Sequence, residues 1–254
     1  MSFFKFQRVA EGYAVHRPSY HPLIMQKIRD QIGLEQPVGH ALDVGCGAGL
    51  STVPLRALAD HVVGIDGSAE MIAAARAHTT DERITYHQSP AEHLPFADGT
   101  FELITVCGAI NWIDRTRFFP EARRVLKERG WVIVYDNTIT DHMPGCPAYT
   151  RWYHEQYLVR YPKPPRDESP FTPSEADAYG FRLVHSEDYT NTLHWSLDQY
   201  VEFMLTQSNI IAAVELGGQS LDEARAWMHS TLAALMPGPT ATFVFGGYVW
   251  TIQR

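Results

Sequence analysis

The segment Asp43-Val44-Gly45-Cys46-Gly47-Ala48-Gly49 sets three glycines at alternate positions behind an acid, and a second acid, Asp66, closes the next apolar run. Glycines at Gly45, Gly47 and Gly49 let a backbone turn tightly and lie directly against a ligand, and a carboxylate such as Asp66 at the end of the following strand accepts both hydroxyls of a ribose. The pair points to an adenosine-type ligand, where a glycine-rich turn alone suits a purely packing role equally well. Charge separates the nucleoside candidates. A dinucleotide loop follows G-x-G-x-x-G, with a pyrophosphate on the helix N-terminus. Here the third glycine comes one residue early and Leu50 stands where that pattern wants glycine. Asp43 repels a pyrophosphate and attracts a cation. S-adenosylmethionine carries a sulfonium and an ammonium and no phosphate, so the electrostatics favour it over NAD.

These residues need strands to hold them. Between about residues 40 and 137, short apolar runs alternate with amphipathic stretches, the pattern of a mostly parallel sheet covered on both faces, which predicts a Rossmann-like α/β fold. Strands are expected at Ala41 to Val44, His61 to Ile65, Arg83 to His87, Phe101 to Val106 and Trp131 to Tyr135. Ser68 caps a helix with Glu70 in its first turn and Met71, Ile72 and Ala75 on its buried face. Ser51 as N-cap puts Pro54 at the third helical position, where a missing N–H costs nothing. A further helix is expected to begin close to Pro120 and to end at Gly130. Beyond Asn137, prolines and aromatic residues punctuate an inserted helix and loop. A strand at Phe181 to Asp188, helices near Leu197 to Leu205 and Leu221 to Leu235, and a closing strand at Ala241 to Ile252 follow. The expected organisation is a single domain over 1–254. Residues 1–35 form a helical lid, 36–139 the cofactor-binding core, 140–180 and 196–238 acceptor-side helical insertions, and 181–195 and 239–254 closing strands.

The chain has 254 residues, of which 45% are hydrophobic and 12% aromatic, enough for a sizeable core. With 29 acidic against 21 basic residues and a net charge of -8, it holds no basic block, which argues against nucleic acid and anionic lipid as partners. A small molecule is the expected partner. No run approaches the roughly 18–20 apolar residues of a membrane span, and Met1-Ser2-Phe3-Phe4-Lys5-Phe6 lacks the apolar stretch of a signal peptide. The expectation is a soluble cytoplasmic protein with reduced thiols, since Cys46, Cys107 and Cys146 have no paired spacing. No metal is expected, because Asp114, Asp136 and Asp141 are not compellingly spaced.

Five separated motifs carry a resemblance: Leu42-Asp43-Val44-Gly45-Cys46-Gly47-Ala48-Gly49, Val63-Gly64-Ile65-Asp66-Gly67-Ser68-Ala69-Glu70-Met71, Ala91-Glu92-His93-Leu94-Pro95-Phe96, Phe101-Glu102-Leu103-Ile104 and Glu121-Ala122-Arg123-Arg124-Val125-Leu126-Lys127. Residues 41 to 137 resemble a class I S-adenosylmethionine-dependent methyltransferase of the small-molecule group that includes ubiquinone/menaquinone-type and trans-aconitate-type enzymes. The resemblance implies S-adenosyl-L-methionine as cofactor and S-adenosyl-L-homocysteine as product. It implies that the backbone from Gly45 through Cys46 and Gly47 to Gly49 faces the methionine part. Asp66 then binds the ribose, Gly67 and Met71 flank the adenine, and Ala91 and Glu92 lie at the adenine edge; Cys107, at the carboxyl end of the fourth strand where ligands bind in such sheets, is a further cofactor-binding candidate. Ser89-Pro90 replaces the Gly-Asp common in the family, so an aspartate for the adenine amine is missing. Tyr13 and Arg17 are similar to a segment that folds over the cofactor in related enzymes, Tyr13 covering the sulfur and Arg17 pairing with the methionine carboxylate, with Tyr20 beside them on the acceptor side.

Methyl transfer from a sulfonium is an in-line displacement with a good leaving group, so alignment alone contributes much and a base is optional. The fourth strand ends at Cys107-Gly108-Ala109-Ile110-Asn111-Trp112, where similar proteins carry His-Trp; Asn111 is expected to orient an acceptor with Trp112 beside it. His142 is the first candidate base and His194 the second. Tyr149, Trp152, Tyr153, Trp195, Tyr200, Phe203 and Met204 either line a pocket for a flat or apolar acceptor or pack the inserted helices together. The Asn/Asp-Pro-Pro-Tyr motif of nucleic-acid amino methyltransferases is absent. Two other readings stay open: a non-catalytic S-adenosylmethionine-binding protein and a nicotinamide-dependent oxidoreductase.

Overall fold

The computed structural model describes residues 4–254; Met1, Ser2 and Phe3, which begin the expected lid, lie outside the described residues. The strands are β1 (Val38–Val44), β2 (Ala59–Asp66), β3 (Ile84–Gln88), β4 (Phe101–Cys107), β5 (Leu126–Ile139), β6 (Arg182–Trp195) and β7 (Ala241–Gln253). Among the described residues these seven form one sheet in the order β3-β2-β1-β4-β5-β7-β6. β1 pairs in parallel with β2 and β4, β2 with β3, and β4 with β5. β7 runs antiparallel to β5: Arg254 N bonds Gly130 O at 3.0 Å near one end and Thr140 N bonds Val244 O at 3.0 Å near the other. The side-chain pairs Arg182 with Gln253 and His194 with Thr242 set β6 antiparallel to β7 in the same way.

The helices are α1 (Gln7–His16), α2 (His21–Ile32), α3 (Thr52–Leu55), α4 (Ala69–His78), α5 (Arg115–Val125), α6 (Pro147–Trp152), α7 (Leu158–Arg160), α8 (Pro173–Ala178), α9 (Leu197–Met204), α10 (Ser208–Ile211) and α11 (Leu221–Leu232). None is long and apolar enough to cross a membrane. α4 starts as its sequence demands, with Ser68 Oγ accepting from Met71 N at 3.2 Å and Glu70 at the positive end. α5 departs from expectation. It begins at Arg115, because Asp114 accepts from Thr116 N and caps it, so Pro120 lies inside the helix and not at its start. Gly130 is not a helix cap either; the chain turns extended at Leu126 and Gly130 falls within β5.

The chain divides into two compact units. The first takes the segment through Pro18 with Thr138–Pro165 and Tyr189–Gly247, and the second takes Ser19–Asn137, Arg166–Asp188 and Tyr248–Arg254. The expected N-terminal lid is therefore shared, α1 belonging to the first unit and α2 to the second. The core of the second unit sets Leu42, Val44, Ile104, Val106, Val132 and Val134 of the central strands against Phe118, Ala122 and Val125 of α5. Buried parallel strands explain why these runs read as continuously apolar.

In the first unit, Tyr149, Trp152, Tyr153, Tyr200, Phe203 and Met204 are all buried and belong to one aromatic core. Tyr200 stacks on Phe243 with centroids 3.9 Å apart, its hydroxyl bonds that of Tyr149 at 2.5 Å, and Trp195 packs on Phe203 at 5.1 Å. These side chains satisfy one another. The pocket-lining expectation gives way to core packing, because the insertions between strands need apolar mass of their own.

His21, at the start of α2, is 5% exposed and faces the Tyr135 hydroxyl at 3.3 Å, with its ring 4.3 Å from that of Tyr20. Burial lowers its pKa from 6.5 to about 4. The unfolded chain takes up this proton near pH 6.5 and the folded one only near 4, so stability is lost as pH falls through that window. The loss expected is about 3 kcal/mol. Urea titrations at pH 7 and pH 4.5 test it: His21→Phe should show a smaller loss than the parent, and an equal loss would contradict the assignment.

Candidate functional site

β1 delivers the glycine loop and β2 delivers Asp66 at adjacent carboxyl edges, with Val44 in register with Ile65. Gly45, Gly47 and Gly49 all adopt positive φ, at 67°, 52° and 86°. At Gly45 the need is double, since a Cβ there would sit 2.5 Å from Ala109 Cβ, beyond the end of β4. A Cβ on Gly49 would meet the Tyr86 hydroxyl at 2.6 Å, and one on Gly64 would meet the same ring at 2.6 Å. The loop is thus wedged between β3 and the turn after β4, with Cys46 and Ala48 buried and the backbone at Gly45 and Gly47 partly exposed.

Asp66 is half-buried. Its Oδ2 accepts from Gly47 N at 3.0 Å and its Oδ1 from Ser68 N at 2.8 Å. Burial raises its pKa, and those two N–H groups pull it back down. A carboxylate offers about four acceptor positions, so two remain for a vicinal diol. Gly67 is exposed beside it and Met71 is buried below the loop, its sulfur 3.9 Å from where a Gly47 Cβ would stand. The free acceptor positions of Asp66 fit the hydroxyls of a ribose.

Asp43 corrects the sequence reading. It is fully buried and accepts from Ser51 Oγ at 2.6 Å, Thr52 Oγ1 at 2.7 Å and Thr105 Oγ1 at 2.9 Å. Ser51 therefore occupies the cap position of α3 and spends its hydroxyl on Asp43. Desolvation raises the Asp43 pKa against the pull of the three hydroxyls. Its task is to brace the base of the glycine loop to β4; it does not face a ligand cation. Thr105, a lone hydroxyl in the apolar run of β4, was the legible sign of this.

Glu92 also has a bond within the protein, accepting from Asp114 N at 3.0 Å, and thereby ties the turn after β3 to the start of α5, while Ala91 packs on the core. Cys46 is buried under the loop and Cys107 ends β4, with its sulfur 3.1 Å from the Tyr20 hydroxyl. Burial drives both thiols and the Tyr20 phenol up in pKa, so none is a ready nucleophile or base. Asn111 and Trp112 form a single turn after β4; the Asn111 carbonyl accepts from Asp167 N at 3.2 Å, and the Arg166 guanidinium stands 5.8 Å from the Trp112 ring.

The remaining predicted residues lie in the first unit. Arg17 donates through Nη2 to Tyr13 OH at 2.8 Å and to Thr206 O at 2.7 Å, with its guanidinium 4.2 Å from the Tyr13 ring. His142 is exposed, and His194 is exposed on β6 with Nδ1 3.0 Å from Thr242 Oγ1. No group of three or more metal-ligating side chains occurs among the described residues.

A family model described as a methyltransferase domain matches residues 42–134. A candidate methyltransferase of Dictyostelium discoideum is 28% identical over 165 residues, covering 64% of this chain and 61% of that protein. A ubiquinone/menaquinone biosynthesis C-methyltransferase of Citrifermentans bemidjiense is 33% identical over 133 residues, covering 49% of this chain and 55% of the relative. The chain thus spans between half and two thirds of the length of these curated relatives. The solved structure of a candidate type II methyltransferase from Anaeromyxobacter dehalogenans shares the fold, with a TM-score of 0.68 at 21% identity over 93% of this chain and 96% of that one. The match runs from the foot of the glycine loop to Val134 in β5, so the region that carries the site is similar to methyltransferase domains.

Proposed function

We propose that the protein transfers a methyl group from S-adenosylmethionine to a small organic acceptor. The observation that carries this is Asp66: a half-buried carboxylate at the carboxyl edge of β2, fixed by two backbone N–H groups and retaining acceptor positions beside a positive-φ glycine loop. When bound, the cofactor supplies an electrophilic methyl on a sulfonium that leaves as a neutral thioether. The chain's own part is to hold the ribose through Asp66, to keep the loop backbone rigid through Asp43, and to exclude water from the edge after β4. Alignment of this kind is worth effective molarities of about 10⁵ M or more.

A flat or apolar acceptor is supported by the names of relatives that act in ubiquinone and menaquinone biosynthesis. The buried aromatic set of the first unit no longer argues for it.

Calorimetric titration of the purified protein with S-adenosylhomocysteine and, separately, with NAD tests the reading. Micromolar binding of the former and none of NAD is expected. Binding of NAD alone would overturn the proposal in favour of an oxidoreductase. Formation of S-adenosylhomocysteine from S-adenosylmethionine with members of an acceptor panel then separates an enzyme from a binding protein.

A further inference from the structure

We propose that Asp136 is the acceptor-side general base and that the Tyr248 hydroxyl positions the acceptor beside it; both roles rest on the methyltransferase reading above. Asp136 stands half-buried near the carboxyl end of β5, next in the sheet to the end of β4. Its Oδ1 accepts from Asn137 N at 2.7 Å, which fixes the plane of the carboxylate. A Cβ on Gly108, where φ is 60°, would come within 3.2 Å of that same oxygen, so the backbone beyond β4 is bare on the side facing the carboxylate. The next residue, Ala109, meets Gly45 of the cofactor loop. Two consecutive residues therefore stand next to the carboxylate and next to the glycine loop. With neighbouring strands about 4.8 Å apart, two strand spacings separate loop from carboxylate by roughly 10 Å, a span that accommodates a transferable methyl and the atom that receives it.

Tyr248 completes the arrangement. The bonds from Arg254 N to Gly130 O and from Thr140 N to Val244 O fix a β5–β7 register that sets Tyr248 directly opposite Asp136. Its hydroxyl oxygen is buried and has no hydrogen-bond partner in the protein. A buried unpaired hydroxyl costs folding free energy, so its retention calls for a bound group to satisfy it. The Tyr248 ring is held by a stack on Trp250 at 4.5 Å, so the hydroxyl is presented rigidly. Asp136, Cys107, Arg115 and Arg166 are among the charged and titratable groups around it, Arg115 being paired with Asp167 and Glu175 and Arg166 with Glu168. Arg166 also covers the face of Trp112. A carboxylate to take a proton and a phenol to hold an oxygen, with the flat indole of Trp112 in the turn after β4, suit one acceptor chemistry: an aromatic ring bearing a hydroxyl, methylated at that oxygen or at an adjacent ring carbon.

In the step that follows, the acceptor atom bonds the methyl carbon as the carbon–sulfur bond breaks, and that electron pair stays on sulfur. The acceptor's proton passes to an Asp136 carboxylate oxygen and from there to solvent.

The test measures S-adenosylhomocysteine formation from S-adenosylmethionine with 1,4-dihydroxynaphthalene, alongside S-adenosylhomocysteine affinity by calorimetry, for the parent, Asp136→Asn and Tyr248→Phe. Asp136→Asn keeps an oxygen for Asn137 N and should lower kcat by about 10²–10⁴-fold, with affinity for S-adenosylhomocysteine within about twofold of the parent. Tyr248→Phe removes only an unpaired hydroxyl. Its melting temperature should not fall, and KM for the dihydroxynaphthalene should rise about tenfold with kcat little changed. Unaltered turnover in Asp136→Asn, or unaltered KM in Tyr248→Phe, overturns the corresponding role. A parent that binds S-adenosylhomocysteine but does not turn over the dihydroxynaphthalene overturns the pairing of this base with a hydroxyarene while leaving the cofactor reading intact. A parent that binds no S-adenosylhomocysteine overturns the proposed function itself.

Discussion

Asp66→Ala is expected to weaken S-adenosylhomocysteine binding by about 1.5–3 kcal/mol, the worth of hydrogen bonds to a charged group, or roughly 10- to 150-fold. The carboxylate holds Gly47 N and Ser68 N, so its removal takes away the ribose acceptors and also unties the loop from the head of α4. Asp66→Asn separates the two effects. An amide oxygen still accepts one backbone N–H, but its NH₂ cannot accept a hydroxyl proton, so binding should fall while the melting temperature stays nearer the parent's. Calorimetry on the folded variants decides the matter. Unchanged affinity in Asp66→Ala would remove the ribose assignment and with it the main support for the cofactor site. The raised pKa adds a sign: as pH falls through the folded value, Asp66 takes a proton before an ordinary aspartate does, and affinity should decline from that point.

The largest loss of stability is expected at Asp43. Replacing a buried, hydrogen-bonded charge and leaving its partners unpaired costs about 3–5 kcal/mol, and Asp43→Ala would strand the hydroxyls of Ser51, Thr52 and Thr105 together. Against a total stability of roughly 5–15 kcal/mol, that leaves a protein near its unfolding threshold. Asp43→Asn should cost far less, because hydroxyls rotate to donate to an amide oxygen or accept from its nitrogen. Urea denaturation of both variants checks this, and a loss below about 1 kcal/mol in Asp43→Ala would mean that the three hydroxyls do not depend on the carboxylate. The pH dependence follows from the raised folded pKa. The native state holds this proton more tightly than the unfolded chain does, so the Asp43 contribution is most favourable below the ordinary value of 3.8 and declines as pH rises to the raised value. Asp43→Asn should lack that decline.

What the sequence made legible was local. The glycines declare the loop because three positive-φ residues in five tolerate little else, and Ser68 with Glu70 declares α4 because cap and dipole act within one turn. Asp66 was readable because strand and acid are adjacent. The role of Asp43 was not, since one of its three partners comes from another strand, β4, and nothing in the spacing says which hydroxyl will arrive. Asp136 escaped for the same reason: its significance comes from Gly108 across one strand pair and from Tyr248 across another. The aromatic insertions misled in the opposite direction. A run rich in tyrosine and tryptophan looks alike whether it walls a pocket or fills a core, and only Tyr200 against Phe243, Tyr149 and Phe203 shows the rings closing on each other. Pro120 misled through a rule about helix starts that Asp114, six residues earlier, had already satisfied.

The single ring of Tyr86 presses on two glycines, Gly49 in the loop and Gly64 in β2, but the two are bound to it differently. Gly49 is held by its own backbone as well, at φ 86°, and stays glycine whatever faces it. Gly64 has ordinary strand geometry and owes its bareness to two neighbours, the Tyr86 ring and the Cys46 sulfur, which a Cβ there would meet at 3.1 Å. A side chain at position 64 is therefore expected to fit only where both Tyr86 and Cys46 give way to smaller residues. Position 49 gains nothing from such a change, because its positive φ still demands glycine, so the loop and the sheet beside it answer to different constraints.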